Sequence, residues 1–300
     1  MADKGKLPFV LVDVFGSEPF TGNPLAVVAD ADGLDAELMG RIAREMNQSE
    51  TTFVLAPSRP GAHWRLRSFT PAAVEVVGVG HNALGAWWWL AATGRLALSP
   101  VGGRFVQEIG GRLLPVEVKA SDGAAGSITM TQGAPVFGQI HPDVAALADA
   151  LGLTLDDLDV EALSAQVVST GAAHLLVPAR DRAAVLRSSP DSRRLLAELQ
   201  RVGAQGCYLF CLDPIDPAAA AHARFFNPTV GIAEDPATGS AAGPLACLLV
   251  AEGRVARGTK LLVEQGHAVG RPSLLQVQVR QSDVRLTGSA VISAEGNLWL

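Results

Sequence analysis

The spacing of apolar residues changes several times along the chain, and each change predicts an element. Leu38, Ile42 and Met46 recur every four residues, with Asp35 before them to cap a helix start and Asn47 after them to end it. That pattern predicts an amphipathic helix. Short runs rich in β-branched and aromatic residues predict strands at 9–15, 25–29, 51–55 and 64–69. Two runs of small and apolar residues, 82–96 and 241–251, are apolar all round and predict buried helices. Further helices are expected at 143–151 and 192–202. Further strands are expected at 105–109, 112–119, 126–131, within 165–178, and at 207–212, 223–226, 261–265, 274–280, 284–287 and 290–293. The strands come in meanders and do not alternate with helices. This favours an α+β fold of curled, mostly antiparallel sheets over a doubly wound parallel sheet.

The pattern restarts near 132–142, and a weak repeat appears. Arg67-Ser68-Phe69-Thr70-Pro71 resembles Arg224-Phe225-Phe226-Asn227-Pro228, an offset of 157 residues. A glycine-bearing loop and then an apolar helix follow each copy, at Gly80-His81 and at Gly239-Ser240. Two similar halves, each with a strand-wrapped helix, fit this arrangement.

Composition narrows the classes. Hydrophobic residues make up 48% of the 300 and charged residues 18%, ample for a packed core. A net charge of −6 leaves no basic face for phosphates and argues against nucleic acid. No apolar run reaches the ~20 residues that span a bilayer, and the N-terminus has no apolar segment followed by a small-residue cleavage site. The expectation is a soluble, cytoplasmic protein. Cys207, Cys211 and Cys247 are an odd count and read as buried reduced thiols. None of the six histidines is paired at helical ligand spacing, and no dinucleotide or phosphate-loop fingerprint is present. Neither a metal nor a cofactor is expected.

Candidate chemistry concentrates at three places. Val230 to Gly243 packs Glu234, Asp235, Thr238, Gly239 and Ser240 into the loop that opens a core helix, where backbone N–H groups favour an anion. Gly80, His81 and Asn82 open the other core helix. Helix-start placement lowers imidazole basicity, which suits a neutral hydrogen-bonding role. Glu50 stands at the entrance of an apolar strand. Each has a plain structural reading: a solvated strand end for Glu50, a cap or core ring for His81, a turn residue for Asp235, a cap for Ser240. Trp87-Trp88-Trp89 points around more than half of its helix and reads as core or subunit contact.

Taken together, these motifs resemble the PhzF family, the phenazine-biosynthesis isomerases within the diaminopimelate epimerase-like fold. The resemblance rests on Asp13-Val14-Phe15 with Pro19 to Pro24, on Ala43 to Thr51, on Phe69-Thr70-Pro71 with Glu75 and Gly80-His81, and on Gly231 with Glu234 to Ala241. It implies two pseudo-repeated domains, each a curled sheet around a central helix, with the site in the cleft between them. The expected division is 1–125, with a strand from 288–300 returning to it, and 126–287. It also implies a homodimer, no cofactor, and a small carboxylate substrate. Glu50 would be the general acid/base, and His81 and Asp235 would share protons and orient the substrate. Asn23, Ser49, Gly80, Asn82, Gly239 and Ser240 would bind it. The related epimerases exchange protons through two cysteines. Here the corresponding positions carry Val79 and Asp235, which argues against a two-thiol racemase.

The loop before the first core helix usually reads like Phe-Ala-Gly-His-Pro-Thr-Leu-Gly in that family, and here it runs from Gly78 to Gly85 with Asn82-Ala83 in place of Pro-Thr. Asn227 stands where Ala or Gly is common. A wider, more polar pocket points away from the phenazine precursor. It favours another cyclic unsaturated amino or carboxylic acid, such as an alkylproline intermediate, in specialised-metabolite (antibiotic or phenazine-like) biosynthesis. The alternatives are an epimerase or racemase of the same fold and a non-catalytic small-molecule-binding protein.

Overall fold

The computed structural model describes residues 5–121, 124–281 and 283–300. The chain forms two compact units, Met1–Thr131 with Thr287–Leu300, and Gln132–Leu286. The first runs β1 (Lys6–Val14), β2 (Asn23–Val28), α1 (Ala36–Met46), β3 (Thr51–Leu55), β4 (Trp64–Phe69), β5 (Glu75–Val76), α2 (His81–Ala92), β6 (Gly103–Ile109), β7 (Arg112–Ser121) and β8 (Ala124–Gln132). The second runs β9 (Val136–Ile140), α3 (Val144–Ala150), β10 (Gln166–Ser169), β11 (Ala173–Pro178), α4 (Arg182–Arg187), α5 (Ser192–Val202), β12 (Gly206–Cys211), β13 (Ala221–Asn227), β14 (Ile232–Asp235), α6 (Gly239–Ala251), β15 (Lys260–Gln265), β16 (Ser273–Val279) and β17 (Val284–Gly288). The last strand, β18 (Ala290–Trp299), returns to the first unit and pairs with β1. The fold is α+β.

The two units share one strand plan. In the first, β1 and β2 are antiparallel, β2 and β3 parallel, β3 and β4 antiparallel, and β4 and β6 parallel. In the second, β10 through β13 and β15 repeat that series: antiparallel, parallel, antiparallel, parallel. One core helix packs inside each. α2 contacts β1, β2, β3, β7 and β18, and α6 contacts β10, β11 and β16. Small residues allow the close approach. A Cβ on Gly85 of α2 would lie 2.6 Å from Val14 Cγ2 and 2.7 Å from Leu25 Cδ2. Both helices are apolar on every side because sheet surrounds them, as the two small-residue runs predicted.

Amphipathic helices cover the outer faces. α1 buries Met39, Ile42 and Ala43 against Phe53, Leu55 and Phe69. Its ends are those read from the sequence: the Asp35 side chain accepts from Leu38 N, and Asn47 takes the left-handed conformation. In the second unit α3, α4 and α5 pack on β10, β11 and β12 around Leu147, Leu195, Leu199 and Leu209.

Several boundaries differ from expectation. α2 stops at Ala92, four residues before the expected end, because Gly94 turns left-handed with φ 70°. α6 begins at Gly239, two residues earlier than the apolar run. Ile232 to Asp235, read as loop, is a strand paired with β13. α4 and β9 fall in stretches read as connections. α4 has only six residues, too few to show a period, and is started by Asp181, which accepts from Ala184 N. Trp87 is wholly core, its indole N–H bonded to Gln107. All three cysteines are buried free thiols, and burial pushes Cys211 and Cys247 up to about 11. Among the described residues no helix is long and apolar enough to cross a membrane.

Candidate functional site

In the first unit the candidates gather at one end of the sheet. β2 and β3 run parallel in the register Ala26–Thr51, so Asn23 at the start of β2 and Ser49-Glu50 just before β3 share that end. Phe69, paired with Thr51, brings the chain to the same end before it turns into α2. The hairpin loop that leads into Asn23 is held in shape by a buried acid, since Asp13 accepts from Phe20 N at 2.7 Å. Gly22 must be glycine: its φ is 67°, and a Cβ would meet Val14 O at 2.5 Å.

α2 opens at Gly80 without a side-chain cap. Asn82 turns back, accepts from Gly80 N at 2.9 Å, and donates to Gly78 O and Ser68 Oγ. It is 1% exposed, so its amide braces the loop. His81 is also buried, and its Nδ1 lies 3.9 Å from Glu50 Oε2. That is contact, longer than a hydrogen bond. Burial lowers the His81 pKa to about 4, so the ring is neutral at ordinary pH. Glu50 keeps 17% of its side chain exposed. The structure therefore places a carboxylate with solvent access against a neutral imidazole at a helix start.

In the second unit Asp235 ends β14 and is buried. Thr238 Oγ1 donates to its carboxylate. Gln265, at the end of β15, holds the whole turn. Its Nε2 donates to Asp235 O at 2.7 Å, and its Oε1 accepts from Thr238 N and from Tyr208. Burial first, and the Asp235 charge second, raise the Tyr208 pKa, keeping that phenol a neutral donor. α6 then starts at Gly239 and Ser240. A Cβ on Gly239 would lie 2.3 Å from Leu286 Cδ2, so a side chain there would push the helix start off its strand. The Gly239 carbonyl accepts from Gln132 Nε2 at 2.9 Å. Ser240 Oγ lies 3.1 Å from His174 Nε2. Burial lowers His174 to about 4 as well.

Reading single residues did not find Gln265, Tyr208 or His174. The signal for Gln265 was present in the Gln265-Gly266 step, since Gly266 is left-handed and a Cβ there would meet Pro236 O at 2.6 Å. His174 has no local signal. Only the parallel pairing of β11 with β12 and the fold around α6 bring it to Ser240.

Among the described residues one group could hold a metal ion: His222, Glu264 and His267, with ligand atoms within 4.8 Å of one another. The Glu264 carboxylate already accepts from Ile215 N, Asp216 N and His222 Nδ1. The Glu264 carboxylate is thus already engaged by the His222 ring and two backbone N–H groups.

Chemically, the first unit offers proton transfer. The second offers a buried carboxylate, Asp235, beside the Ser240 hydroxyl at the start of α6. The first N–H groups of both α2 and α6 have no partner within their helices and favour a negative group.

The chain as a whole is similar to known proteins. A sequence profile described as phenazine biosynthesis-like protein, PhzC-PhzF, matches residues 12–296. The trans-2,3-dihydro-3-hydroxyanthranilate isomerase of Pseudomonas aeruginosa is 35% identical, over 97% of this chain and 99% of that protein. The crystal structure of the Bacillus anthracis phenazine biosynthesis protein, PhzF family, superposes with a TM-score of 0.90 at 29% identity, covering 98% of this chain and 99% of that one. A hydroxyproline epimerase from Agrobacterium vitis shares the fold at a TM-score of 0.67 and 15% identity, over 100% of this chain and 94% of that one.

Proposed function

The chain belongs to the PhzF family of phenazine biosynthesis-like proteins and is an isomerase, and on that premise we propose that it moves a proton, and with it a double bond, within a small cyclic unsaturated acid. The observation that carries this reading is Glu50 against the neutral His81 ring at the start of α2. A carboxylate can take a proton from a carbon next to a π-system. The C–H electron pair enters the π-system, the double bond shifts, and the same carboxylate returns the proton at another carbon. No oxidant or reductant is needed. His81 hydrogen-bonds the substrate or passes a proton as a neutral ring. Asp235, held by Thr238 and Gln265, binds a polar substituent of the substrate. Ser240 and the N–H groups at Gly239-Ser240 are the anion donors of the second unit and take a carboxylate, and the N–H groups at Gly80-His81 are the corresponding donors of the first. Asn23 and Ser49 line the Glu50 end of the sheet, and Asn82 shapes the loop through the contacts given above.

The substrate class is a cyclic diene carboxylate or amino acid of specialised metabolism. Trans-2,3-dihydro-3-hydroxyanthranilate, named for the Pseudomonas relative, is one test compound, and unsaturated proline-like acids are others. The reading also takes the enzyme as a cytoplasmic homodimer, which light scattering on the purified chain checks. The deciding experiment incubates the protein with this panel in deuterated water. The expected result is a shifted double bond with deuterium at the new C–H position, absent in Glu50→Gln. Exchange at one stereocentre with no double-bond shift would replace isomerisation by epimerisation. The absence of both a shifted double bond and exchange, with every panel member, would remove the reading. A shifted double bond without deuterium would mean that Glu50 returns the proton before it exchanges with solvent.

A further inference from the structure

We propose that His174 is a positioning residue that fixes Ser240 as a hydrogen-bond donor toward the anionic group of the substrate. The inference rests on the functional reading above and adds a residue to it. The geometry is a two-atom contact with only one good polarity. His174 is 3% exposed on β11, and its Nε2 faces Ser240 Oγ at 3.1 Å. Its other nitrogen, Nδ1, is buried with no protein hydrogen-bond partner. The surroundings of that nitrogen are apolar and closely packed. The ring meets Phe225 edge-on, with centroids 4.9 Å apart. A Cβ on Gly206 would come within 3.2 Å of Nδ1 and 2.4 Å of the Phe225 ring.

A neutral imidazole carries one N–H and one lone pair. If the hydrogen were on Nδ1, a buried N–H would have no acceptor, and Ser240 would have to donate its own hydrogen into the ring. Its oxygen lone pairs would then face the ligand and repel a carboxylate. If the hydrogen is on Nε2, the ring donates to Ser240 Oγ. The hydroxyl hydrogen is then free to point at an anion, beside the first N–H groups of α6. Either tautomer leaves Nδ1 without a partner, as an orphaned N–H in the first case and a bare lone pair in the second; the orphaned N–H is the costlier, so the second arrangement is favoured. Protonation would add a second buried N–H without an acceptor, and with the pKa near 4 the ring stays neutral across the working range.

The test has a spectroscopic arm and a kinetic arm. Long-range proton–nitrogen correlation spectra of the nitrogen-15-labelled protein, recorded between about pH 5.5 and 8, read the tautomer directly. The His174 signals are assigned by their loss in His174→Gln. The expected result is a ring protonated at Nε2 only, unchanged across that range. A ring protonated at Nδ1, or one that titrates there, overturns the inference whatever the substrate proves to be.

The kinetic arm uses whichever diene the panel shows to be turned over. His174→Phe should raise KM about tenfold, the loss of one hydrogen bond to a charged group, with kcat changed much less. His174→Gln carries an amide donor and should recover most of the loss. The double variant His174→Phe/Ser240→Ala should be no worse than Ser240→Ala alone. Additive losses, or no rescue by glutamine in a protein that still melts cooperatively, would make His174 a packing residue only. Failure of the isomerase reading appears elsewhere, as turnover that survives Glu50→Gln or never occurs, so the two outcomes are separable.

Discussion

Superposing the strand plan of one unit on that of the other shows what each half has kept. In both, an arginine two residues before a phenylalanine makes a two-pronged bond to a glutamate on the next strand: Arg67 to Glu75, and Arg224 to Glu234. In both, that arginine also stacks on its phenylalanine. Thr51 pairs with Phe69, and Cys207 with Phe226, so the residues just before Thr51 and just before Cys207 are equivalent. They are Glu50 in one half and Gly206 in the other. Ser68 pairs with Val76 and Phe225 with Asp235, so the second carboxylate stands where the first unit has valine. At the helix starts His81 corresponds to Ser240. Each half thus owns one acid, placed differently, on one shared frame. The first unit keeps a carboxylate against an imidazole. The second fills the carboxylate's place with the His174 and Phe225 rings and carries its acid on the next strand, at Asp235, where Thr238 donates to it. The two copies thus share a strand plan and an arginine–glutamate bond but differ at the positions that carry their acids.

The largest expected effect breaks that division directly. Glu50→Gln should lower kcat about 10²- to 10⁴-fold, the usual worth of a positioned acid/base, with an unchanged melting curve. Asp235→Asn should weaken KM and kcat together, because it removes a binding charge held by Thr238. If Asp235→Asn instead abolished kcat at unchanged KM, the roles of the two halves would be reversed.

Acid should then act on both halves alike. His81 and His174 have folded pKa values of about 4, below the ordinary value of 6.5. Between those values the unfolded chain binds protons that the folded one refuses. Stability is therefore complete above about pH 6.5 and falls as pH drops toward 4, by about 3 kcal/mol per histidine. Urea unfolding at pH 7.5 and 4.5 measures the loss. His174→Gln should remove one histidine's share of it, about 3 kcal/mol, and an unchanged loss would mean that the second-unit ring is not held neutral.

How much of this could be read in the chain depends on range. The α1 stripe of Leu38, Ile42 and Met46 and its caps are local, and the structure has them where the pattern put them. The two core helices were legible as apolar runs, but their ends were not, because Gly94 and Thr238 act through backbone geometry and not hydropathy. The Arg67 and Arg224 segments announced the repeat. The contacts that give each half its chemistry were beyond reach. His174 with Ser240, and Gln265 with Asp235, are separated by 66 and 30 residues, and strand register alone brings them together. Asn82 was read as a polar partner for the substrate, but a sequence cannot show that its amide is already engaged by Gly78, Gly80 and Ser68.

A smaller change probes the space at Gly206, where the second unit has no acid. Gly206→Ala places a Cβ 2.4 Å from the Phe225 ring, which is 3% exposed and has little room to move. Overpacking of this kind costs about 1–3 kcal/mol. Denaturant unfolding should show that loss, with a weaker His174–Ser240 contact in the spectra described above. A neutral result would mean that the packing around Gly206 is loose and that a side chain fits there.

The smallest effect separates the two arginine–glutamate bonds, which have the same geometry in different surroundings. Glu75 is 38% exposed and Glu234 12%. Arg224 also donates to Val185 O and Ser188 O, which fix its guanidinium before the glutamate binds, so less freedom remains to be lost. A double-mutant cycle on Arg67 and Glu75 should give a coupling of about 0.5 kcal/mol that shrinks in salt. The same cycle on Arg224 and Glu234 should give about 1–2 kcal/mol and respond less to salt. Equal couplings would mean that the repeated bond is only a relic of duplication, whereas the expected inequality makes it the anchor for the β13–β14 turn that carries Asp235.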